Sequence, residues 1–224
     1  MKIFRFDESQ YEFRKMVSQL FGVSSLETLH LFCKDMVHEG DVLWKSESDS
    51  EFHRAFYSKL NLNGPGEPWK EMIDAYDSFV RGEIVNKLGD DVKLLIQKFP
   101  SFRVQTPNSQ AIHKWHFDSD EDHGHPNGEI NVQIPLTVMY DTSATWIEPI
   151  PGIGKFEPME MFPGQYSIFN GNKCMHGNKK NMTGLTRVSF DFRVIPKEIL
   201  ESQTCNSSAT LGVKFTNGGY YKEI

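Results

Sequence analysis

The run HKWHFDSDEDHGHPNGEIN, residues 113–131, gathers four of the chain's eight histidines among aspartates and glutamates. Ligand types are plentiful there, so spacing has to choose among them. His116 and Asp118 lie two apart, and on an extended segment such residues point to one face. They can therefore share a small ion. A lone His-x-Asp pair is a weak signal, because chance produces many. His176, downstream in FNGNKCMHGN, strengthens it. Two histidines and one carboxylate on one side of an ion leave the opposite positions open, which suits a non-haem Fe(II) centre binding both a co-substrate and dioxygen.

A co-substrate of that kind needs its own anchor. 2-Oxoglutarate chelates iron through its keto-acid end and presents a second carboxylate at the other. A guanidinium holds such a group best, through two parallel charge-assisted hydrogen bonds. Arg187 lies eleven residues after His176 at the start of an alternating run, with Ser189 on the same face. Taken alone Arg187 would read as a surface ion-pair residue; its position relative to His176 favours the anchor. Arg193 shares that face and is the rival, but its greater distance from His176 marks it as a substrate or structural contact. Asn131 and Gln133 occupy the polar face of the strand after the His-x-Asp segment and are candidate contacts to 2-oxoglutarate or substrate. Gln105 and Arg103, on the strand before, are further candidates.

The other ligand types have plainer readings. Cys174 stands two residues before His176, yet a small buried hydrophobe is the more ordinary role for a lone cysteine. His113, three residues from His116, would face the opposite way on a strand and reads as structural or exposed. Asp120, Glu121 and Asp122 read as solvated loop charges, and His123 and His125 belong to the same loop, from which either could reach a pocket.

Strands must hold these residues, and the texture of the sequence changes at Pro100. Before it, the chain reads mostly as helix. Phe13, Met16, Val17, Leu20 and Phe21 fall at helical spacing, residues 25–38 form a weaker helical segment, and Phe52, Phe56, Tyr57 and Leu60 share a face. NLNGPGEP breaks the pattern. Pro68 then opens the strongest stripe, Trp69, Met72, Ile73, Tyr76, Phe79, Val80, Ile84 and Leu88, which ends at Gly89. After Pro100 come short strands: FRVQT, INVQIPLTVMY, ATWIEP, PGQYSIFNG and RVSFDFRVI. In the last, Val188, Phe190 and Phe192 face one way and Arg187, Ser189, Asp191 and Arg193 the other. Helices followed by many short strands predict a mainly β, α+β domain: a jelly roll with helices packed outside it. We read one domain over 1–224, with a mostly helical part to 100, a β core over 101–196 and a C-terminal extension over 197–224.

Composition is ordinary for a globular protein, with 38% hydrophobic and 24% charged residues. The formal net charge of -6 argues against nucleic acid or an anionic membrane as partner. No apolar run reaches membrane-spanning length and MKIFRFDESQ lacks the apolar core of a signal peptide, so a cytoplasmic location is expected. Three widely spaced cysteines, with no CxxC pair, support neither a disulfide framework nor a cysteine-rich zinc site.

The stretches HFDSDEDHGHPNGEINVQIPLT, TSATWIEPIPGIGKF, FPGQYSIFNGNKCMHGNKKNMTG and TRVSFDFRVIP resemble the Fe(II)/2-oxoglutarate-dependent oxygenase superfamily in its phytanoyl-CoA hydroxylase-like branch. More narrowly they resemble the StrG-like proteins of streptomycin biosynthesis. They span roughly residues 103 to 196. The resemblance implies a double-stranded β-helix, the cupin-like jelly roll. It implies His116, Asp118 and His176 as iron ligands, and Arg187 with Ser189 as the site for the distal carboxylate of 2-oxoglutarate. Trp146 and Glu148 fall in the family's W-x-E-P stretch, where a positioning role is implied, although core packing explains Trp146 equally well. HPNGEIN matches the narrower family, which gives His125 a part in shaping the loop or contacting substrate. The implied reaction hydroxylates a small polar metabolite (a sugar, aminocyclitol or amino-acid derivative) with dioxygen and releases succinate and carbon dioxide. Two other readings stay open: a cupin-like isomerase using the same metal ligands without an oxo-acid, and a non-catalytic jelly-roll module binding a carbohydrate or metabolite. Oligomeric state is not legible.

Overall fold

The computed structural model describes residues 1–32, 50–89, 92–109, 115–203, 207 and 212–224. The continuation of the second helical segment beyond residue 32, together with Cys33, His113 and Cys205, lies outside the described residues. Strands run in chain order β1 (Lys2–Arg5), β2 (Leu94–Gln97), β3 (Ser101–Gln105), β4 (Ile130–Pro135), β5 (Thr145–Ile147), β6 (Glu157–Pro158), β7 (Gln165–Phe169), β8 (His176–Asn178), β9 (Arg187–Pro196) and β10 (Tyr221–Glu223). Helices are α1 (Glu8–Tyr11), α2 (Phe13–Phe21), α3 (Leu29–Phe32), α4 (Glu51–Leu60) and α5 (Lys70–Phe79).

The strands form two antiparallel sheets. In the larger the order is β1-β7-β4-β9-β2-β10, with β3 also paired to β9; the smaller is β6-β5-β8. β9 is the hub, because β4 pairs along one edge while β3 and then β2 pair along the other. Residues directly opposite in such ladders share a face. Register therefore decides what meets what. Gln105 stands opposite Arg187, Arg103 and Pro135 opposite Ser189, Gln133 opposite Asp191, and Asn131 opposite Arg193. On the far edge of β4, Ser167 and Phe169 of β7 stand opposite Gln133 and Asn131.

One face of this sheet is apolar and carries the helices. Phe56 of α4 stacks on Phe102 with ring centres 4.2 Å apart. Phe190 meets Phe13 of α2 and Phe56 edge-on or tilted, and Phe192 meets Tyr76 and Phe79 of α5 edge-on. Each fully buried ring of this kind contributes about 1.5–3 kcal/mol through removal from water. The amphipathic spacing of α2, α4 and α5 thus finds its partner in the alternation of β9. α2 ends at Gly22, whose φ of 65° lies in the left-handed region, and the next residue's N–H returns to the Ser18 carbonyl. After α5 the helix continues through a wider π-type turn over Val80–Val85, which keeps Val80 and Ile84 in the core.

The other face of the sheet is polar, yet every residue of β9 from Arg187 to Ile195 is buried. Buried alternating charge is unusual enough to mark a site. The smaller sheet meets this face: Thr145 of β5 and Asn178 of β8 both hydrogen-bond Arg187, and Thr145 also accepts from Gln133. Two strands fall within the part expected to be mostly helical. β1 pairs with β7, and β2 joins β9 to β10. Their short apolar runs take strand form because remote partners supply the hydrogen bonds. Among the described residues no helix is long and apolar enough to cross a membrane.

Candidate metal centre

His116 and His176 are brought together by backbone pairing. Each donates its N–H to the other's carbonyl at 3.0 Å, so the two side chains leave the same face with ring centres 4.4 Å apart. Asp118 follows two residues after His116, and its N–H is held by the Gly171 carbonyl at 3.0 Å. Asp118 Oδ1 lies 3.5 Å from Nε2 of both histidines. The three ligand atoms fall within 4.8 Å of one another and all three residues are buried. Ligands in adjacent positions about 2.1 Å from an octahedral ion sit about 3 Å apart, so the set is close to closed around a metal.

Protonation also suits a metal. His176 Nδ1 lies 3.1 Å from the Cys174 carbonyl and donates to it, which leaves the Nε2 lone pair free. Burial pushes the His176 pKa down to about 4, so the ring is neutral near pH 7. For Asp118, burial acts to raise the pKa, but Arg193 and a hydrogen bond with His116 outweigh it and hold the carboxyl well below the usual range. Neutral imidazoles and an ionised carboxylate are the binding forms.

The second oxygen of Asp118 is occupied by the protein. Oδ2 accepts from Asn131 Nδ2 at 2.6 Å and from Arg193 Nε and Nη2 at 3.2 Å each. Asn131 also accepts the Gly171 N–H at 3.0 Å, which ties the loop before β8 to the same amide. Gly171 has to be glycine here, because a Cβ would come within 2.7 Å of both amide atoms of Asn131. Arg193 Nη1 in turn bonds Asp191 Oδ2 at 2.6 Å, and Asp191 is paired with Arg103. Carboxylates and guanidiniums thus alternate outward from the metal ligands.

Beside this chain of charges is a cavity of about 50 Å³, lined by residues that include His116, His176, Asn131, Gln133, Arg187 and Arg193. Arg187 Nη1 donates to Asn178 Oδ1 at 2.6 Å and to Thr145 at 3.4 Å, while its Nε has no partner. Among the described residues no carboxylate forms an ion pair with Arg187, although it is only 2% exposed. Burial, with Arg103 adding to it, pushes its pKa down to about 10, so it remains charged near pH 7. Ser189 Oγ, Ser167 Oγ and Gln133 Oε1 are buried without partners on the same polar face. A buried cation without a counter-ion, next to unsatisfied polar atoms, is costly unless an anionic ligand completes it.

The remaining candidates lie around this centre. Trp146 donates its indole N–H to the Asp141 carbonyl at 3.0 Å, and the Lys179 ammonium sits 3.1 Å from its ring centre. Glu148 accepts the N–H groups of Gly152 and Gly154 and so shapes the PGIGKF loop. His125 Nδ1 bonds Glu129 at 2.8 Å, and its ring packs 4.4 Å from Phe215. Gln105 donates to the carbonyls of Ser109 and Lys179. Trp146, His125 and Gln105 are not among the residues lining the cavity. His123 bonds Asp120 and stacks on His116 with ring centres 4.2 Å apart. Cys174 is buried in a small apolar cluster, and burial pushes its thiol pKa up. Sequence reasoning passed over Thr145 and Asn178. Asn178 was within reach of it, since it lies two residues after His176 and shares its face by the rule that pairs His116 with Asp118.

No protein-family profile matches the chain. Over 221 residues it is 30% identical to the streptomycin biosynthesis protein StrG of Streptomyces griseus, covering 98% of this chain and 96% of that protein. Among solved structures it is similar to CytC3 with Fe(II) and alpha-ketoglutarate, at a TM-score of 0.50 and 15% identity over 88% of this chain and 73% of that one. The apo form of the non-heme monooxygenase ThoJ gives a TM-score of 0.50 and 15% identity, covering 86% and 71%. These two likenesses are likenesses of fold.

Proposed function

The chain belongs to the family of StrG, and from that premise we propose that it is an Fe(II)- and 2-oxoglutarate-dependent oxygenase that hydroxylates a small polar metabolite. One observation carries the reading: a buried set of two imidazoles and one carboxylate shares a polar sheet face with a buried arginine that lacks a counter-ion. Its solved neighbours include CytC3, whose structure holds Fe(II) and alpha-ketoglutarate. We read the two antiparallel sheets as the halves of a double-stranded β-helix. The pairing of both β1 and β10 into the larger sheet supports a single domain.

In this reading His116 Nε2, Asp118 Oδ1 and His176 Nε2 hold the ion. The Nε edge of Arg187 receives the distal carboxylate of 2-oxoglutarate, and Ser189 and Gln133 supply further polar contacts. With iron and 2-oxoglutarate bound, the centre activates dioxygen and couples loss of carbon dioxide, leaving succinate, to oxidation of a substrate C–H bond. The protein's own work is positional. Asn178 and Thr145 fix the guanidinium plane of Arg187, the Cys174 carbonyl sets the tautomer of His176, and Phe169 packs 5.7 Å from the His176 ring on the apolar side. No side chain is required to transfer a proton in the hydroxylation. The relative's part in streptomycin biosynthesis favours a sugar, aminocyclitol or amino-acid derivative as substrate.

The test is anaerobic titration of the Fe(II) protein with 2-oxoglutarate, followed by aerobic assay of a metabolite library for succinate. The visible charge-transfer band of the chelate should form in the native protein and be lost in His176→Ala. Absence of the band in the native protein, or an undiminished band in the variant, would overturn the reading. Turnover without 2-oxoglutarate would point instead to a metal-dependent isomerase.

A further inference from the structure

Asp118 has two oxygens, and the protein treats them differently. Oδ1 is 3.5 Å from both ligand nitrogens, whereas Oδ2 accepts three N–H groups: Asn131 Nδ2 at 2.6 Å and Arg193 Nε and Nη2 at 3.2 Å. Those donors saturate the lone pairs of Oδ2. Arg193 is itself immobilised, with Nη1 on Asp191 at 2.6 Å and its backbone N–H on Gln97 Oε1 at 3.2 Å. Asp191 is held from the far side by Arg103. Every member from Asp118 to Asp191 is buried, so none of these bonds competes with bulk water.

We propose that Arg193, braced by Asp191, is a positioning residue that restricts Asp118 to one-oxygen ligation. The inference rests on the oxygenase reading and adds a specific requirement to it. An octahedral ion has six positions, and three protein atoms leave three: two for the keto-acid and one for dioxygen. A carboxylate free to bind through both oxygens would occupy the sixth position and leave no room for dioxygen beside the chelated co-substrate. The Arg193 fork makes that swing unfavourable, because Oδ2 would have to give up charge-assisted hydrogen bonds in a buried site.

Mn(II) and water enriched in oxygen-17 test this without turnover, since the electron spin resonance linewidth counts ion-bound waters. The native protein should show three waters, of which 2-oxoglutarate displaces two. Arg193→Met should show two waters before 2-oxoglutarate is added, a loss of one. Three waters in Arg193→Met would overturn the proposal, and so would an equal count in all variants. If Arg193→Met does not fold, Arg193→Lys carries the test: its ammonium keeps the charge but cannot span the two contacts to Oδ2, and two waters are again expected. A merely structural role would lower stability and leave the count at three. Failure of 2-oxoglutarate to displace water from the native protein would instead refute the oxygenase reading, whatever the variants show.

Discussion

Arg187 and Arg193 lie six residues apart on one face of β9, and their removal should have opposite effects on stability. Arg187 is buried with only neutral partners, Asn178 and Thr145, so the folded protein bears most of the cost of desolvating its charge. That cost is of the order of several kcal/mol for a buried ion. Arg187→Met removes it and fills the space with apolar volume, so unfolding of the ligand-free protein should be unchanged or shifted upward. A gain of about 1 kcal/mol would appear as a rise of about 2–4 °C. Binding of 2-oxoglutarate should collapse at the same time. Two charge-assisted hydrogen bonds at about 1.5–3 kcal/mol each amount to about 3–6 kcal/mol. At about 1.4 kcal/mol per factor of ten, that is a loss of at least roughly 100-fold in affinity. Arg193→Met should do the reverse. It strands Asp118 and leaves Asp191 with Arg103 alone, at a cost of about 3–5 kcal/mol, while 2-oxoglutarate affinity falls much less. Calorimetric titration of 2-oxoglutarate into the Mn(II) proteins, paired with thermal melts without metal, measures both quantities. If Arg187→Met lowered the melting temperature by several degrees and left the affinity within tenfold, the arginine would be structural and the anchor assignment would fail.

Asn131→Leu should weaken Mn(II) binding by roughly 10- to 100-fold, because the amide orients Asp118 and holds the Gly171 N–H; titration calorimetry measures it. Gly171→Ala should act on the same contact from the other side, through a Cβ 2.7 Å from the Asn131 amide, and cost about 1–3 kcal/mol in urea melts. His53 should govern part of the acid lability. Both its ring nitrogens are buried without partners, and burial pushes its pKa down to about 4. The unfolded imidazole titrates near 6.5, so between those values the unfolded chain binds more protons and stability falls as pH drops. The full loss is about 3 kcal/mol once pH is below about 4. His53→Phe should flatten that segment of the stability curve, and an unchanged slope between pH 6.5 and 4 would show that other groups set it.

Period-two alternation was readable because it is local. It assigned Val188, Phe190 and Phe192 to the core and Arg187, Ser189, Asp191 and Arg193 to the opposite face, and the same rule joined His116 to Asp118. Helical stripes behaved likewise over residues 13–21, 51–60 and 70–79, since each carries its apolar face in its own sequence. β1 and β2 were not readable, because a strand of four residues has too little periodicity to declare itself and depends on β7, β9 and β10 for its hydrogen bonds. Pairwise roles at the site were not readable either. Which of two arginines would meet Asp118 across 75 positions depends on the register of β9 against β4, and a two-residue slip would exchange their neighbours. The sequence by itself determined the ligand types, the shared face and the family pattern. Only the tertiary structure decided that Arg193 is spent on Asp118 while Arg187 keeps a free donor edge, because hydrogen-bond partnership is a property of distances between strands and not of spacing along one of them.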